Sequence, residues 1–296
     1  MLSRRCVIES KGRHVTLSGV SGEGNLNRPL IVISNDDGID SPGLAACAEA
    51  LDPLGDLLIV APFRQESGMG RSLPGDPNHN GRLSEKPVVR NGKSWKGYAA
   101  YASPAQAVQH AILELADRKP SLVVSGVNYG ENVGTGVSIS GTVGAALEGS
   151  ALGVPAMAVS LQTDPSLHIH YNDSVDFSAA IHFTRFFAQQ WLNSTPIPDV
   201  DVLKIEIPEK ATTASEWRIT RLDRQTYYIP VPGARKQLED ESPFGYKRIY
   251  DRAKSQADTD AAALHDQFVS VTPLSLDMTS RVDWSLLKRM IDVKKQ

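Results

Sequence analysis

The sequence predicts an α/β fold with a mostly parallel central sheet, and three observations carry that expectation. Short apolar runs at 30–33, 56–62, 122–124, 156–161 and 202–207 alternate with helical patterns along the chain. The first three read as buried strands and the last two as further strands. Polar, glycine-bearing segments follow three of them, at the carboxyl ends where open α/β sheets bind ligands.

The first run ends abruptly in Asn35-Asp36-Asp37-Gly38, and Ser41-Pro42-Gly43 then opens a helical pattern over 44–51. Two adjacent carboxylates therefore stand at the end of a buried strand. Like charges held side by side repel, more so when buried, and a divalent cation turns that repulsion into coordination. Asn, Asp and Gly are also turn formers, so the segment reads equally as a solvated turn or as a metal or phosphate site. Its spacing matches neither an EF-hand nor a Walker loop.

The second run stops at Pro62, and residues 63–80 form a long polar loop of the kind that is usually functional or mobile. Ser67-Gly68 lies close behind the strand end, so Ser67 can reach the crevice of Asp36 and Asp37; taken alone it is an ordinary loop serine. Runs at 82–89 and 94–101 flank Asn91-Gly92, a hairpin signal. Ser103-Pro104 caps a helix whose apolar positions Ala105, Val108, Ala111, Ile112 and Leu115 keep helical spacing.

The run at 122–124 exits through 125–142, eighteen residues with five glycines, into a small-residue helix over 143–152. A glycine-rich loop entering a helix N-terminus is a ready anion site. A strand at 156–161 leads to a loop with His168 and His170, which can ligate a metal but read more readily as exposed residues. A long amphipathic helix covers 173–191 and a strand 202–207. Beyond Pro208 the character changes. Runs at 217–222 and 226–231 alternate like hairpin strands, 232–264 is polar and irregular, and a strand at 268–274 and a helix at 283–291 close the chain.

Of 296 residues, 41% are hydrophobic and 22% charged, ordinary for a soluble globular protein of one large or two small domains. A net charge of −3 advertises no cationic face and argues against a nucleic-acid duplex as partner. Two cysteines, Cys6 and Cys47, suit a reducing, cytoplasmic setting. No apolar run reaches membrane-span length. The expected organisation is a disordered leader over 1–28, a catalytic core over 29–208, and an arm over 209–296 used in association.

Three stretches together carry a resemblance. Asn35-Asp36-Asp37-Gly38 with Pro42-Gly43, then Ala61-Pro62 with Ser67-Gly68, then Ser125-Gly126-Val127-Asn128 running to Ser140-Gly141-Thr142, resemble the survival protein E (SurE) family over about residues 29–280. The resemblance implies a Rossmann-like three-layer αβα sandwich with a C-terminal β-hairpin arm. It implies a metal-dependent nucleoside 5′(3′)-monophosphate phosphatase, forming a homodimer or homotetramer through the arm. It implies one divalent ion held by Asp36, Asp37, Ser67 and Asn128, with phosphate on Asn132, Ser140, Gly141 and Thr142. The chain departs from the family pattern at Ser103, where threonine is usual, at Arg71, and in its leader.

Such oxygen donors suit Mg²⁺ or Mn²⁺ rather than zinc. In phosphoryl transfer most of the work is positioning and electrostatics. Attack by water assisted by Asp36 or Asp37, or by an Asp carboxylate itself, both fit the residues. Alternatives are a broad phosphatase or exopolyphosphatase and a silent nucleotide sensor. A dehydrogenase lacks its Gly-x-Gly-x-x-Gly after the first strand.

Overall fold

The computed structural model describes residues 28–168 and 175–292. The expected leader, apart from Arg28, and His170 of the histidine pair lie outside the described residues.

The chain opens with β1 (Leu30–Ser34), α1 (Pro42–Leu51) and β2 (Asp56–Pro62). Four short strands follow: β3 (Leu83–Glu85), β4 (Val88–Arg90), β5 (Lys93–Trp95) and β6 (Gly97–Ala100). Next come α2 (Pro104–His110), continued by a wider helical turn to Leu115, then β7 (Leu122–Tyr129), α3 (Gly141–Ala151) and β8 (Ala156–Leu161). After α4 (Ser178–Asn193) and β9 (Val202–Ile207), the C-terminal part holds β10 (Trp217–Ile219), β11 (Tyr228–Val231) and β12 (Gly245–Arg248). It ends with α5 (Asp260–His265), β13 (Val269–Leu274) and α6 (Trp284–Asp292).

Nine strands form one sheet in the order β10-β13-β9-β8-β7-β1-β2-β6-β3. The middle six are all parallel; β13 runs antiparallel to β9, and β3 antiparallel to β6. From β1 the chain builds outward through β2 to β6, then returns to lay β7 on the other side of β1. The direction of winding reverses there, and the crevice at the carboxyl ends of β1 and β7 is a topological switch point.

The alternation of side chains along β1 divides the core in two. Ile31 and Ile33 pack with Leu44, Cys47 and Leu51 of α1 and Phe183 and Phe187 of α4, whereas Val32 packs with Val108 of α2 and Val143 and Ala146 of α3. Helices thus cover both faces, giving the three-layer sandwich. The caps fall where the sequence placed them. Ser41 Oγ accepts from the Gly43 N–H, and Ser103 forms a reciprocal capping box with Gln106, so serine replaces threonine there without loss of the cap. Gly43 permits close packing of α1, since a Cβ there would stand 2.0 Å from the Val127 carbonyl oxygen.

Several expectations change in detail. The Asn91-Gly92 turn closes only the β4–β5 hairpin; the outer halves of those runs, β3 and β6, join the main sheet. The strand read at 122–124 extends to Tyr129, so Asn128 lies on a strand rather than in a loop, with a register shift against β8 between Ser125 and Asn128. Residues 217–222 and 226–231 do not pair with each other. β10 instead lies parallel to β13 at the sheet edge, and β11 pairs with β12, from the stretch read as irregular. Within the expected 209–296 arm, the β11–β12 ribbon forms a two-stranded sheet of its own, whereas β10 and β13 belong to the main sheet. α6 projects an uncovered apolar face with Trp284, Leu287 and Met290 exposed. No helix among the described residues is long and apolar enough to cross a membrane.

Candidate active site

The turn after β1 is closed by Asn35, whose side chain accepts from the Gly38 N–H and donates to the Gly38 carbonyl, both at 3.1 Å. Gly38 has φ +96°, a conformation that favours glycine. The tight turn leaves Asp36 and Asp37 facing the crevice side by side, 4% and 2% exposed.

Each carboxylate has its own wall. Asp36 meets the start of α3: the Thr142 hydroxyl donates to its Oδ1 at 2.5 Å, and a Cβ on Gly141 would lie 2.8 Å from its Oδ2. Burial pushes the Asp36 carboxyl above its usual range, partly countered by the Thr142 hydroxyl and the Thr142 and Gly141 backbone N–H groups. Asp37 accepts from the Tyr129 N–H at 3.1 Å and from Gln65 Nε2 at 3.3 Å. Burial, and then the charge of Asp36, push the Asp37 carboxyl well above the usual range. Folding thus assembles a pair whose ionised form is disfavoured at both members.

Ser67 stands exposed on the loop after β2, pinned on one flank by the Glu66 N–H, which donates to the Asp36 carbonyl at 2.7 Å. Asn128 is buried at the end of β7. Its amide nitrogen donates to the Tyr129 and Gly130 carbonyls at 3.2 and 2.8 Å, which orients the amide and leaves Oδ1 accepting from no described group. Among the described residues no three His, Cys, Asp or Glu side chains cluster as a metal site would need from those types alone. The two carboxylates and the Asn128 amide oxygen are hard oxygen donors that, with a hydroxyl such as that of Ser67, would make a mixed set. That set, with its mutually repelling pair, fits a divalent cation of the Mg²⁺ type.

Ser140 caps α3, its Oγ accepting from the Val143 N–H at 3.1 Å. Gly141 and Thr142 form the first turn beside Asp36, so the helix N-terminus and that carboxylate share one wall. Asn132 is more engaged than its sequence context suggests. It donates from its side chain to Ser160 Oγ at 3.1 Å and from its N–H to Glu206 Oε2 at 2.9 Å, and its carbonyl accepts from Lys204 Nζ at 3.0 Å.

That last pair belongs to a network the sequence reading missed. Lys204 and Glu206 on β9 and Asp260 on α5 are fully buried, with Lys204 Nζ 3.3 Å from Glu206 Oε1 and 3.1 Å from Asp260 Oδ2. Asp260 also accepts from the Gly134 N–H at 3.0 Å. Three backbone groups of the 132–134 loop are therefore fixed by buried charges. The carboxylates hold Lys204 above its ordinary pKa despite its burial, while burial raises Glu206. The signal available was two ionisable residues spaced by two in an otherwise apolar strand, hence on one face of it.

Gln65 was also missed: it ties Asp37 to the His168 carbonyl, which it reaches at 2.6 Å. His168 itself is turned to the arm, Nδ1 lying 2.9 Å from the Tyr246 hydroxyl, and burial lowers its pKa. Beside it, Glu131 accepts from the Tyr228 hydroxyl at 2.7 Å, joining the arm to the loop between Asn128 and Asn132.

Fold and site together define an open α/β protein whose switch-point crevice sets a buried carboxylate pair against a glycine-lined helix N-terminus. The chain belongs to the SurE family: the family model described as Survival protein SurE matches residues 31–228. It is 36% identical over 264 residues to the 5′-nucleotidase SurE of Thermococcus gammatolerans, covering 88% of this chain and 95% of that protein. The 5′-nucleotidase SurE of Archaeoglobus fulgidus is likewise 36% identical, over 268 residues, covering 88% and 97%. A crystal structure of the SurE protein from Aquifex aeolicus superposes with a TM-score of 0.68 at 27% identity, covering 90% of this chain and all of that one.

Two outcomes follow from this geometry. Lys204→Met leaves Glu206 and Asp260 buried without their cation and lowers unfolding free energy by about 3–5 kcal/mol in urea titrations. The raised pKa values of the acidic pair mean that the metal-free fold binds protons the unfolded chain does not. This contribution to stability is present at low pH and is lost as pH rises through the folded pKa values. In EDTA, Asp37→Asn therefore has a higher urea midpoint than the parent at alkaline pH, and the gap narrows as pH falls through the raised carboxyl pKa values.

Proposed function

We propose that the chain is a metal-dependent 5′-nucleotidase, hydrolysing nucleoside monophosphates to nucleoside and phosphate. The observation that carries this reading is the buried Asp36–Asp37 pair, of which Asp36 lies directly against the N-terminus of α3. The names of the T. gammatolerans and A. fulgidus relatives support the reaction class and substrate.

In this reading Asp36, Asp37, Ser67 and Asn128 hold one Mg²⁺ or Mn²⁺ ion. When bound, the ion neutralises phosphoryl charge and makes a water more acidic. Ser140, Gly141, Thr142 and Asn132 receive the phosphate oxygens, the first three through hydroxyl and backbone donors of a helix start whose dipole favours anions. The Thr142–Asp36 hydrogen bond supports a coupling of the two halves, since Thr142 must redirect its hydroxyl to serve the phosphate. Water is the attacking group, with Asp36 or Asp37 accepting its proton. The arm and terminal helix, with the exposed apolar Val231, Phe244, Trp284 and Met290, support a homodimer or homotetramer built from residues 209–296 on a core of 29–208. The low cysteine count, with Cys47 free and buried, supports a cytoplasmic protein.

Phosphate release from AMP, GMP, their 3′ isomers and a short polyphosphate, each with Mn²⁺, Mg²⁺ or EDTA, tests the assignment. The expected result is metal-dependent release from nucleoside monophosphates that vanishes in EDTA and in Asp37→Asn. Preferential release from polyphosphate reassigns the substrate, and nucleotide binding without release under any metal reassigns the protein as a sensor.

A further inference from the structure

The loop that carries Ser67 is clasped at a point the family resemblance did not explain. On its near flank the Glu66 N–H is bonded to the Asp36 carbonyl. On its far flank the Gly70 N–H donates to the Ile139 carbonyl at 3.0 Å, and the Gly70 backbone lies flat on α3, where a Cβ on Gly144 would stand 2.2 Å from its carbonyl oxygen. The next residue is Arg71. Its Nε donates to Glu148 Oε2 at 2.6 Å, and Gln109 Nε2 from α2 donates to Glu148 Oε1 at 2.8 Å. Glu148 is 4% exposed, on the same helix whose first turn holds Ser140, Gly141 and Thr142.

A carboxylate buried this fully is retained against its desolvation cost only when its partners are in place. Its two partners come from different elements, so Glu148 registers the serine loop and α2 on the helix that walls the acidic pair. The geometry points to Glu148 and Arg71 as positioning residues for the divalent-cation site, acting through the loop that carries Ser67 and is tied to Asp36 by the Glu66 N–H. The inference rests on Ser67 being a ligand, as proposed above. It gives Arg71, the loop residue that departs from the family pattern, a definite task. The clasp touches neither substrate nor the reacting atoms, so its loss weakens cation binding and leaves the chemical step intact once the ion is bound.

The test measures Mn²⁺ affinity by the paramagnetic resonance signal of free Mn²⁺, in the full chain and in Arg71→Met, Glu148→Gln, the double variant, Arg71→Lys and Ser67→Ala. Arg71→Met and Glu148→Gln are expected to weaken Mn²⁺ binding about tenfold or more, as loss of supporting partners around a metal site does. The double variant should be no weaker than the worse single one, because both changes open the same clasp. Arg71→Lys should recover part of the loss, and kcat for AMP at saturating Mn²⁺ should stay close to that of the parent. Glu148→Gln conserves volume and carries the test if Arg71→Met does not fold. Unchanged Mn²⁺ affinity in folded Arg71→Met and Glu148→Gln overturns the inference, as does a fall in kcat at saturating Mn²⁺ with affinity preserved. If Ser67→Ala weakens binding while the clasp variants do not, the clasp alone is wrong. If Ser67→Ala also binds normally, the assignment of Ser67 fails and takes the clasp with it.

Discussion

Two carboxylates buried side by side are the constraint on which the rest of this structure depends. An isolated pair of this kind does not survive in a low-dielectric setting without compensation. Here the compensation is built from four directions. The Asn35 turn fixes the backbone, the first turn of α3 supplies donors to Asp36, the Tyr129 N–H and Gln65 reach Asp37, and the serine loop is tied to the Asp36 carbonyl. The compensation is incomplete, because both carboxyls remain displaced toward the protonated state. On the proposed reading a bound divalent cation offsets that residual cost, so the same contacts that make the pair unfavourable alone favour an ion.

A second, fully buried set of charges supports the loop that carries Asn132. Lys204, Glu206 and Asp260 fix the backbone of Asn132 and Gly134, and Glu131 joins the neighbouring residue to Tyr228 of the arm. Buried ionic groups are poor sources of stability, since well-packed apolar residues often do as well. Their value here is geometric: three loop groups receive fixed, oriented partners that no apolar side chain could supply. The arm bears on the same loop through Tyr228, so the arm and the Asn128–Asn132 segment are physically connected.

Much of this was legible in the sequence because its causes are local. The Asn35-Asp36-Asp37-Gly38 turn, the Ser41 and Ser103 caps and the entry into α3 each depend on a few consecutive residues. The Asp pair and the glycine-rich loop could therefore be placed at neighbouring strand ends before any coordinates. What escaped notice depends on distant partners. The pairing of 217–219 with 269–271 spans some fifty residues, and alternation within either run cannot say which strand it joins. The extension of β7 to Tyr129 runs through Gly126, which weakens a strand pattern, so glycine content read as loop what pairing with β8 makes strand. Lys204 and Glu206 share one face of a short strand whose sequence names no partner for them. Only Asp260, brought in by α5, turns that face into an interior network. Ser67 and Asn128 were ordinary polar residues until the family pattern singled them out.

The most direct test of the account is the linkage between cation concentration and folding. The unfolding midpoint of the full chain would be followed across a Mn²⁺ series, beside Asp36→Asn. If the ion relieves the buried pair, the midpoint of the parent rises steadily with the logarithm of Mn²⁺ concentration above its dissociation constant, while the variant shows little or no rise. An equal rise in both proteins, or none in the parent, would contradict the claim that the acidic pair is the cation site.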